Sequence, residues 1–187
     1  PEQIEILTRR KQVRQWQADA IYRLGDYTKV AAAFGDLLKD YPNDAAATEW
    51  SMKRAVGLAQ SSSPEAALDQ LTEALVQSWP NEEPVDGWWL RGELLRLKKD
   101  DVAAAAAYEK SLSLATEAAD KLPALESALG AFQRLSRQAD MVRLIDKWEP
   151  EFSGVTRLSL LLQRGIAQFA LKDYRQSEAD FARLLSL

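Results

Sequence analysis

The sequence predicts an all-α protein made of stacked helical hairpins. Helix-forming residues dominate, because only 8 Gly and 7 Pro occur among 187 residues and β-branched residues are few. No segment alternates apolar and polar residues with the period of two that a half-buried strand shows. A large apolar residue recurs at intervals of 37, 37, 40 and 33 residues, which is typical of a repeat array. These apolar anchors are Phe34, Leu71, Tyr108, Trp148 and Phe181.

Helix-breaking and capping residues divide the first part of the chain. Gly25 and Asp26 end the first helix, and Pro42 ends the second because it disfavours helical geometry in the residue before it. Ser63 is suited to cap the fourth helix, with Pro64 at its first position. The predicted helices span 4–24, 27–40, 45–60 and 64–78.

Similar signals divide the remainder. Asp101 is suited to cap an Ala-rich helix, Pro150 ends a later one, and Lys172-Asp173 separates the last two. The predicted helices span 86–98, 101–114, 123–137 or 116–137, 140–148, 155–171 and 174–185. Short turns make neighbouring helices antiparallel, so that they form hairpins that stack on one another. We therefore expect one domain over 1–187. Its five hairpins are predicted at 4–42, 44–80, 84–115, 118–150 and 155–187.

Composition narrows the classes of function. The chain has no Cys and no His, which removes thiolate metal sites, cysteine nucleophiles and the commonest general base. A net charge of −4 argues against nucleic acid as a partner, and the basic cluster of Arg9, Arg10, Lys11 and Arg14 is interpreted as a solvated helix face. No apolar run reaches the roughly 18–20 residues of a membrane span. We therefore expect no metal, no cofactor and no direct membrane insertion.

Carboxylate pairs do not indicate an active site. Glu82-Glu83, Asp100-Asp101 and Glu149 with Glu151 lie at predicted turns, where such residues usually cap helices or face solvent. Glycine-rich phosphate loops are absent from the sequence. The prediction is that the protein is not an enzyme.

The repeated residues resemble the tetratricopeptide repeat, whose unit of 34 residues has the pattern W-x2-L-G-x2-Y, A-x3-F and P. The first, third and fifth hairpins match well, and the second and fourth match loosely. The matching residues include Ala18, Leu24, Gly25, Tyr27, Phe34 and Pro42; Trp88, Gly92, Ala104 and Tyr108; and Gly165, Tyr174, Ser177 and Phe181. The resemblance implies a right-handed superhelix, an α-solenoid, that binds a protein partner on its concave face. The unequal intervals predict hairpins elaborated around 115–122 and a change of curvature near the fourth repeat.

In proteins of this kind, inward positions of each first helix contact the partner. Carried over by position, they are Gln15, Asp19, Tyr22, Met52, Val56, Trp89, Glu93, Arg96, Leu129 and Gln133, followed by Leu162, Ile166 and Phe169 in the fifth hairpin. Trp89 is the preferred anchor, because Trp88 takes the core position and its neighbour points about 100° away. The alternative is that Trp89 packs on the loop at 80–86.

Two further features refine the resemblance. A subclass of the family holds C-terminal carboxylates with Lys and Arg, but Gln15, Asp19, Met52 and Val56 occupy the matching positions, which argues against a co-chaperone of Hsp70 or Hsp90. The phrase at 34–42 is similar to repeat proteins of the Gram-negative envelope, including outer-membrane assembly and exopolysaccharide-secretion scaffolds. It favours the periplasm over the cytoplasm without deciding between them.

The fifth hairpin is unusually apolar on several sides, through Leu158, Leu160, Leu162, Ile166 and Phe169. The last helix ends without a polar capping helix. We expect the natural chain to be longer than this one, and the C-terminal hairpin to self-associate. Two alternatives to a protein scaffold remain open: a structural spacer between flanking domains, and a carbohydrate-interacting domain with Trp89 and Tyr22 as stacking platforms.

Overall fold

A computed structural model describes residues 2–61, 63–78 and 83–186, with side chains described from 9 onwards and not at 83–85. Over this part of the chain it contains eleven α-helices, one short 3-10 turn at Glu149–Glu151 and no strand. The helices are α1 Glu2–Leu24, α2 Tyr27–Asp40, α3 Ala47–Gln60, α4 Pro64–Gln70, α5 Glu73–Gln77, α6 Glu83–Leu97, α7 Asp101–Leu114, α8 Ala118–Arg134, α9 Gln138–Trp148, α10 Gly154–Ala170 and α11 Tyr174–Leu185. The all-α prediction is confirmed.

The chain divides into two compact units, Pro1–Lys98 and Lys99–Leu187. The first contains α1 to α6, and its core is built around Val30, Phe34, Leu37 and Trp50. The second contains α7 to α11. Its largest fully buried side chains are Tyr108, Leu112, Leu125, Leu129, Leu144, Ile145 and Leu160.

One turn geometry recurs within the hairpins. The residue that caps the second helix of each has φ between −118° and −81° and ψ between 60° and 73°. At Asp26, Asp100 and Asp173 the side chain also accepts a hydrogen bond from a backbone N–H of the first turn. These N-cap residues are Asp26, Ser63, Asp100, Arg137 and Asp173, so the repeat intervals are 37, 37, 37 and 36 residues.

The N-caps correct the fourth apolar anchor. In the other hairpins the anchor lies eight residues after the N-cap, and eight residues after Arg137 is Ile145, whose side chain is fully buried. Trp148 lies a turn later, with its ring near the Nζ atoms of Lys121 at 4.8 Å and Lys147 at 4.6 Å. The unequal intervals and the elaborated fourth hairpin predicted from Trp148 are therefore wrong.

A residue in the left-handed region precedes each of these N-caps whose preceding residue the structure describes, namely Asp26, Asp100, Arg137 and Asp173. Its φ is 73° at Gly25, 62° at Lys99, 55° at Ser136 and 66° at Lys172. After this residue the backbone turns back and hydrogen-bonds to the end of the preceding helix. In the last of these turns, Asp173 N–H donates to the Gln168 carbonyl at 2.9 Å.

This geometry predicts opposite effects for two substitutions. Lys172→Gly should stabilise the protein by about 1 kcal/mol, because glycine adopts positive φ without the steric cost of a Cβ. Gly25→Ala should destabilise it by about 1 kcal/mol through the backbone alone, since a Cβ at Gly25 would meet no atom within 4 Å. Urea titration followed by circular dichroism measures both changes. Changes of the unfolding free energy in the same direction for both variants would show that the left-handed backbone does not determine the stability at these positions.

The continuous helix predicted at 64–78 is wrong, because the chain breaks between α4 and α5. Leu71 leaves helical geometry with ψ of 61°, and the Thr72 hydroxyl caps α5 by accepting from Leu75 N–H at 3.2 Å. The released Leu71 carbonyl accepts from Arg91 Nη1 at 2.7 Å. A guanidinium 20 residues away on α6 therefore compensates the interrupted helix.

Small residues allow the hairpin helices to approach closely. Ala18 and Ala55 are buried, and a Cβ on Gly165 would lie 2.6 Å from a ring carbon of Phe181. The Gly165 carbonyl accepts from Ser177 Oγ at 2.8 Å in the same contact. The first helix of a hairpin thus packs directly on the anchor of the second.

Candidate functional site

The predicted site lies on a surface that we call the first-helix face. It comprises the residues eleven, seven and four positions before each N-cap, which lie on the same side of their helix. In the first unit α1 contributes Gln15, Asp19 and Tyr22, α3 contributes Met52 and Val56, and α6 contributes Trp89, Glu93 and Arg96. All eight side chains are half-buried or exposed.

Leu129 requires a correction. Its side chain is only 2% exposed and packs in the core of the second unit, so it cannot offer a contact surface. Counting from Trp148 instead of Ile145 shifts the register by three residues, and Leu129 lies one residue, about 100° around the helix, from Gly130. Counting back from the Arg137 N-cap gives Glu126, Gly130 and Gln133 instead, and all three are half-buried or exposed.

Lys53 is not one of the residues that define the face, but it borders the face between α1 and α3 and contacts two of its residues, Asp19 and Tyr22. Its Nζ donates to Asp19 Oδ1 at 2.6 Å and to Glu49 Oε1 at 2.5 Å. The same ammonium lies 5.7 Å from the Tyr22 ring centroid and 5.6 Å from that of Phe34. Burial alone would lower the pKa of Lys53, but the hydrogen bonds to the two carboxylates outweigh it and raise this pKa. The sequence prediction missed Lys53 because it lies one residue beyond Met52.

Trp89 gives α6 its exposed aromatic surface. Trp88 is 5% exposed and Trp89 is 36% exposed, which agrees with the predicted division between core and surface. On the same side of α6, Arg96 Nη2 donates to Glu93 Oε2 at 2.7 Å. The helix joins the first unit by packing on α4 and α5.

The cations of this face do not form a carboxylate clamp. Lys53 is bound to two carboxylates and Arg96 to one, so each positive charge is already compensated. The face instead combines the apolar surfaces of Tyr22, Met52 and Trp89 with neutralised charges. Such a surface suits apolar side chains of a partner better than a terminal carboxylate.

In the second unit the α10 part of the first-helix face is apolar, whereas α8 contributes Glu126, Gly130 and Gln133. On α10, Leu162, Ile166 and Phe169 are 47%, 57% and 60% exposed. Phe169 meets Tyr174 edge-on with ring centroids 5.3 Å apart. An open groove of about 340 Å³ continues from these two rings to Phe181.

The basic cluster near the N-terminus is less solvated than predicted. Lys11 Nζ donates to Asp44 Oδ2 at 2.6 Å, and Arg14 Nη1 donates to Asp40 Oδ2 at 2.5 Å. Both acceptors lie at or beyond the end of α2. These ion pairs, together with Asp19–Lys53, tie α1 to the following helices.

These pairs predict how the stability of the first unit depends on pH. The hydrogen bond from Arg14 lowers the pKa of Asp40, and the one from Lys11 lowers that of Asp44, so their contribution is complete above the ordinary Asp pKa of about 3.9 and is lost as the pH falls through the lowered values. The raised pKa of Lys53 makes its contribution complete below about 10.4, with loss at higher pH.

Thermal unfolding followed by circular dichroism should therefore give a flat plateau between about pH 5 and 9. The midpoint should fall below about pH 4 and above about pH 10.4, and 1 M salt should reduce both changes by screening. A steep loss of stability near pH 6 would contradict this account.

The described residues contain no group of three or more carboxylates that could hold a metal ion. None of the described helices is both long enough and apolar enough to cross a membrane.

Comparison with known proteins places the fold. No protein-family model matches the chain, and no curated protein sequence matches it. Solved structures do match along almost the whole chain. MamA superposes with a TM-score of 0.66 at 16% identity, covering 94% of this chain and 90% of MamA.

Two further structures give the same result. A kinesin light chain of Podosopora anserina with nearly identical TPR-like repeats has a TM-score of 0.63 at 10% identity, covering 95% of this chain and 94% of that one. YrrB, a TPR protein described as having an unusual peptide-binding site, has a TM-score of 0.65 at 11% identity, covering 90% and 81%. At these identities the likeness concerns the fold. The resemblance read from the sequence is confirmed: the chain has the tetratricopeptide-repeat fold.

Proposed function

We propose that the protein is a non-enzymatic scaffold whose first-helix face in the first unit binds a segment of a protein partner, with Trp89 as the main anchor. The observation that carries the proposal is the division between Trp88 and Trp89, at 5% and 36% exposure, on a helix whose neighbouring surface residues are already ion-paired. The fold supports it, since YrrB, which shares the fold, is described as peptide-binding.

The chemistry of the face narrows the segment. Trp89 offers an aromatic plane, Met52 offers an adaptable apolar side chain, and Lys53 is occupied by Asp19 and Glu49. The segment should therefore present apolar or aromatic side chains from within a chain. A free C-terminus should contribute little, because the cations that would hold it are compensated.

The test is selection of peptides from a displayed random library on the immobilised chain. Selected peptides should be rich in apolar side chains, and Trp89→Ala should weaken their binding by about 30-fold or more. Tyr27→Ala is the matched control, because Tyr27 is also 36% exposed but lies on α2, the second helix of its hairpin, and is not a residue of the first-helix face. Amidation of the peptide C-terminus should leave the Kd unchanged.

Three outcomes would overturn the proposal. If the peptides bind the Trp89→Ala variant as tightly as the original chain, Trp89 is not the anchor. Absence of any enriched peptide, with no effect of Trp89→Ala on the protein in its cellular assembly, would favour the structural spacer. Binding to a glycan array that depends on Trp89 and Tyr22, without peptide binding, would favour the carbohydrate-interacting domain.

We also propose that the protein belongs to a bacterial envelope assembly or a polysaccharide-secretion complex. This part of the proposal rests on the similarity of the segment at 34–42 to repeat proteins of the Gram-negative envelope. Fractionation of cells that express the full-length protein tests it, and recovery in the cytoplasm would contradict a periplasmic site. Independence from nucleic acid and self-association through the C-terminal hairpin also remain predictions.

A further inference from the structure

Two carboxylates extend the first-helix face towards the N-terminal ends of α3 and α6. Glu49 and Asp86 each lie fourteen residues before an N-cap, which is one helical turn before Met52 and Trp89. Asp86 is exposed, and the Glu49 side chain is 43% exposed. Both carboxylates therefore lie on the same side of their helices as the apolar residues of the face.

The charges of α3 and α6 are divided between two sides of these helices. The carboxylates of α3 and α6 whose side chains the structure describes all lie on the first-helix face: Glu49, Asp86 and Glu93. Two arginines of the same helices are directed elsewhere. Arg54 Nη1 donates to Gln70 Oε1 on α4 at 2.8 Å. Arg91 Nη1 donates to the Leu71 carbonyl between α4 and α5 at 2.7 Å. This division leaves the face more negative than the helices that form it.

The two cations at the face do not balance its carboxylates. We count the positions fourteen, eleven, seven and four residues before the N-caps of the first unit, together with the bordering Lys53. The ionised groups among them are Asp19, Glu49, Asp86, Glu93, Lys53 and Arg96. One ammonium is shared by two carboxylates, and one guanidinium is paired with a third. The face of the first unit therefore carries a net charge of −2.

Glu49 offers a carboxylate oxygen that a partner can reach. Lys53 binds its Oε1 atom, and Oε2 accepts no hydrogen bond from the residues that the structure describes. The side chain of Lys53 is 16% exposed, against 43% for Glu49, so the carboxylate is the more accessible of the two charges. A Lys or Arg of a bound segment could donate to Oε2 and supply the charge that the shared ammonium lacks.

We infer that the segment bound on the first-helix face carries a Lys or Arg beside its apolar side chains, and that this cation lies at the end of the face marked by Glu49 and Asp86. The preference rests on the proposed function, because it names the chemistry of the segment for which that site is proposed. The apolar side chains supply contact with Trp89, and the excess negative charge selects among apolar segments. A segment with Glu or Asp in the same place would meet like charge.

Selection from a designed peptide library tests this preference. Leu or Phe occupies every second position of the displayed peptides, and the positions between them encode Lys, Glu or Gln in equal proportions. Selection on the immobilised chain should enrich Lys over Glu. At low salt, a selected peptide with Lys at the enriched position should bind at least about fivefold more tightly than the same peptide with Glu. The difference should shrink as added salt screens the carboxylates.

Removing the two outer carboxylates should abolish the preference. Glu49→Gln combined with Asp86→Asn leaves two carboxylates and two cations on the face. The Lys peptide should lose at least about fivefold in affinity, whereas the peptide with Gln in its place should lose none. Glu65→Gln combined with Asp69→Asn is the matched control, because it makes the same change of net charge on exposed residues of α4. Circular dichroism checks that both double variants are folded.

Three results would overturn the inferred preference, and they differ in what they imply for the proposed function. If peptides bind through Trp89 but Glu binds as well as Lys, the preference is wrong and the proposed function stands. An equal loss of affinity in the α4 control would show that the overall charge of the chain selects Lys, and again leaves the proposed function intact. If Trp89→Ala leaves the affinity of the Lys peptide unchanged, the proposed function is wrong and the preference falls with it.

Discussion

Replacing Arg164 with Ala is expected to destabilise the second unit by about 3–5 kcal/mol, because it leaves a buried carboxylate without its partner. Arg164 Nε and Nη2 donate to the two carboxylate oxygens of Asp180 at 2.7 and 2.6 Å, and Nη1 donates to Asp146 at 2.7 Å. The side chains of Arg164 and Asp180 are only 14% and 9% exposed. One guanidinium therefore links α9, α10 and α11.

Arg143→Ala is the matched control for this prediction. Arg143 also bridges two carboxylates, Glu109 and Asp140, but its side chain is 53% exposed, so its loss should cost less than about 1 kcal/mol. Amide hydrogen exchange followed by mass spectrometry measures the loss of stability as faster exchange within α10 and α11. Combining Arg164→Leu with Asp180→Leu should recover most of the stability, since no buried charge remains. Equal effects of Arg164→Ala and Arg143→Ala would contradict the account.

Gly57→Ala should destabilise the first unit by about 2–3 kcal/mol, although alanine is the better helix former. An added Cβ would lie 2.9 Å from Ala31 N and 3.1 Å from the Tyr27 carbonyl oxygen. These are backbone atoms of α2, so relief requires the two helices to separate. The loss of packing then exceeds the gain in helix propensity.

Gly35→Ala makes the same chemical change in the neighbouring helix and should have the opposite sign. Its Cβ would lie 3.4 Å from the nearest atom, Nε of the flexible Arg54 side chain. We expect stabilisation by about 0.5–1 kcal/mol from helix propensity. Urea titration of the two variants measures the difference. Similar effects would show that the approach of α3 to α2 is not limited by Gly57.

The sequence was sufficient for the hairpin turns whose signals are local. Asp26, Asp100 and Asp173 are N-caps beside a residue of positive φ, and the predicted bounds of α2, α7 and α11 agree with those observed. The predicted cap of α7, Asp101, is wrong by one residue, because Asp100 accepts the capping hydrogen bond and Asp101 is the first residue of the helix. The fourth turn is harder to predict from the sequence, because its N-cap, Arg137, is not a typical capping residue and makes no side-chain hydrogen bond to α9. The large Trp148 then suggested a false register, and Leu129 was placed on the surface for that reason.

Features set by distant contacts could not be predicted. The break after Leu71 depends on Arg91, and the charge of Lys53 is compensated from α1 by Asp19. Arg164 interrupts the most apolar helix, and only the packed hairpin shows that Asp180 meets it. Each of these pairs spans 16 residues or more, beyond the reach of local periodicity.

The proposal that the first-helix face binds a partner segment is tested most directly by photo-crosslinking. A photoreactive amino acid is placed at position 89 in one chain and at position 27 in another, and each is illuminated with a peptide selected on the original chain. We expect a crosslink from position 89 and none from position 27. Crosslinking from position 27, with none from position 89, would place the partner on another surface and overturn the proposal.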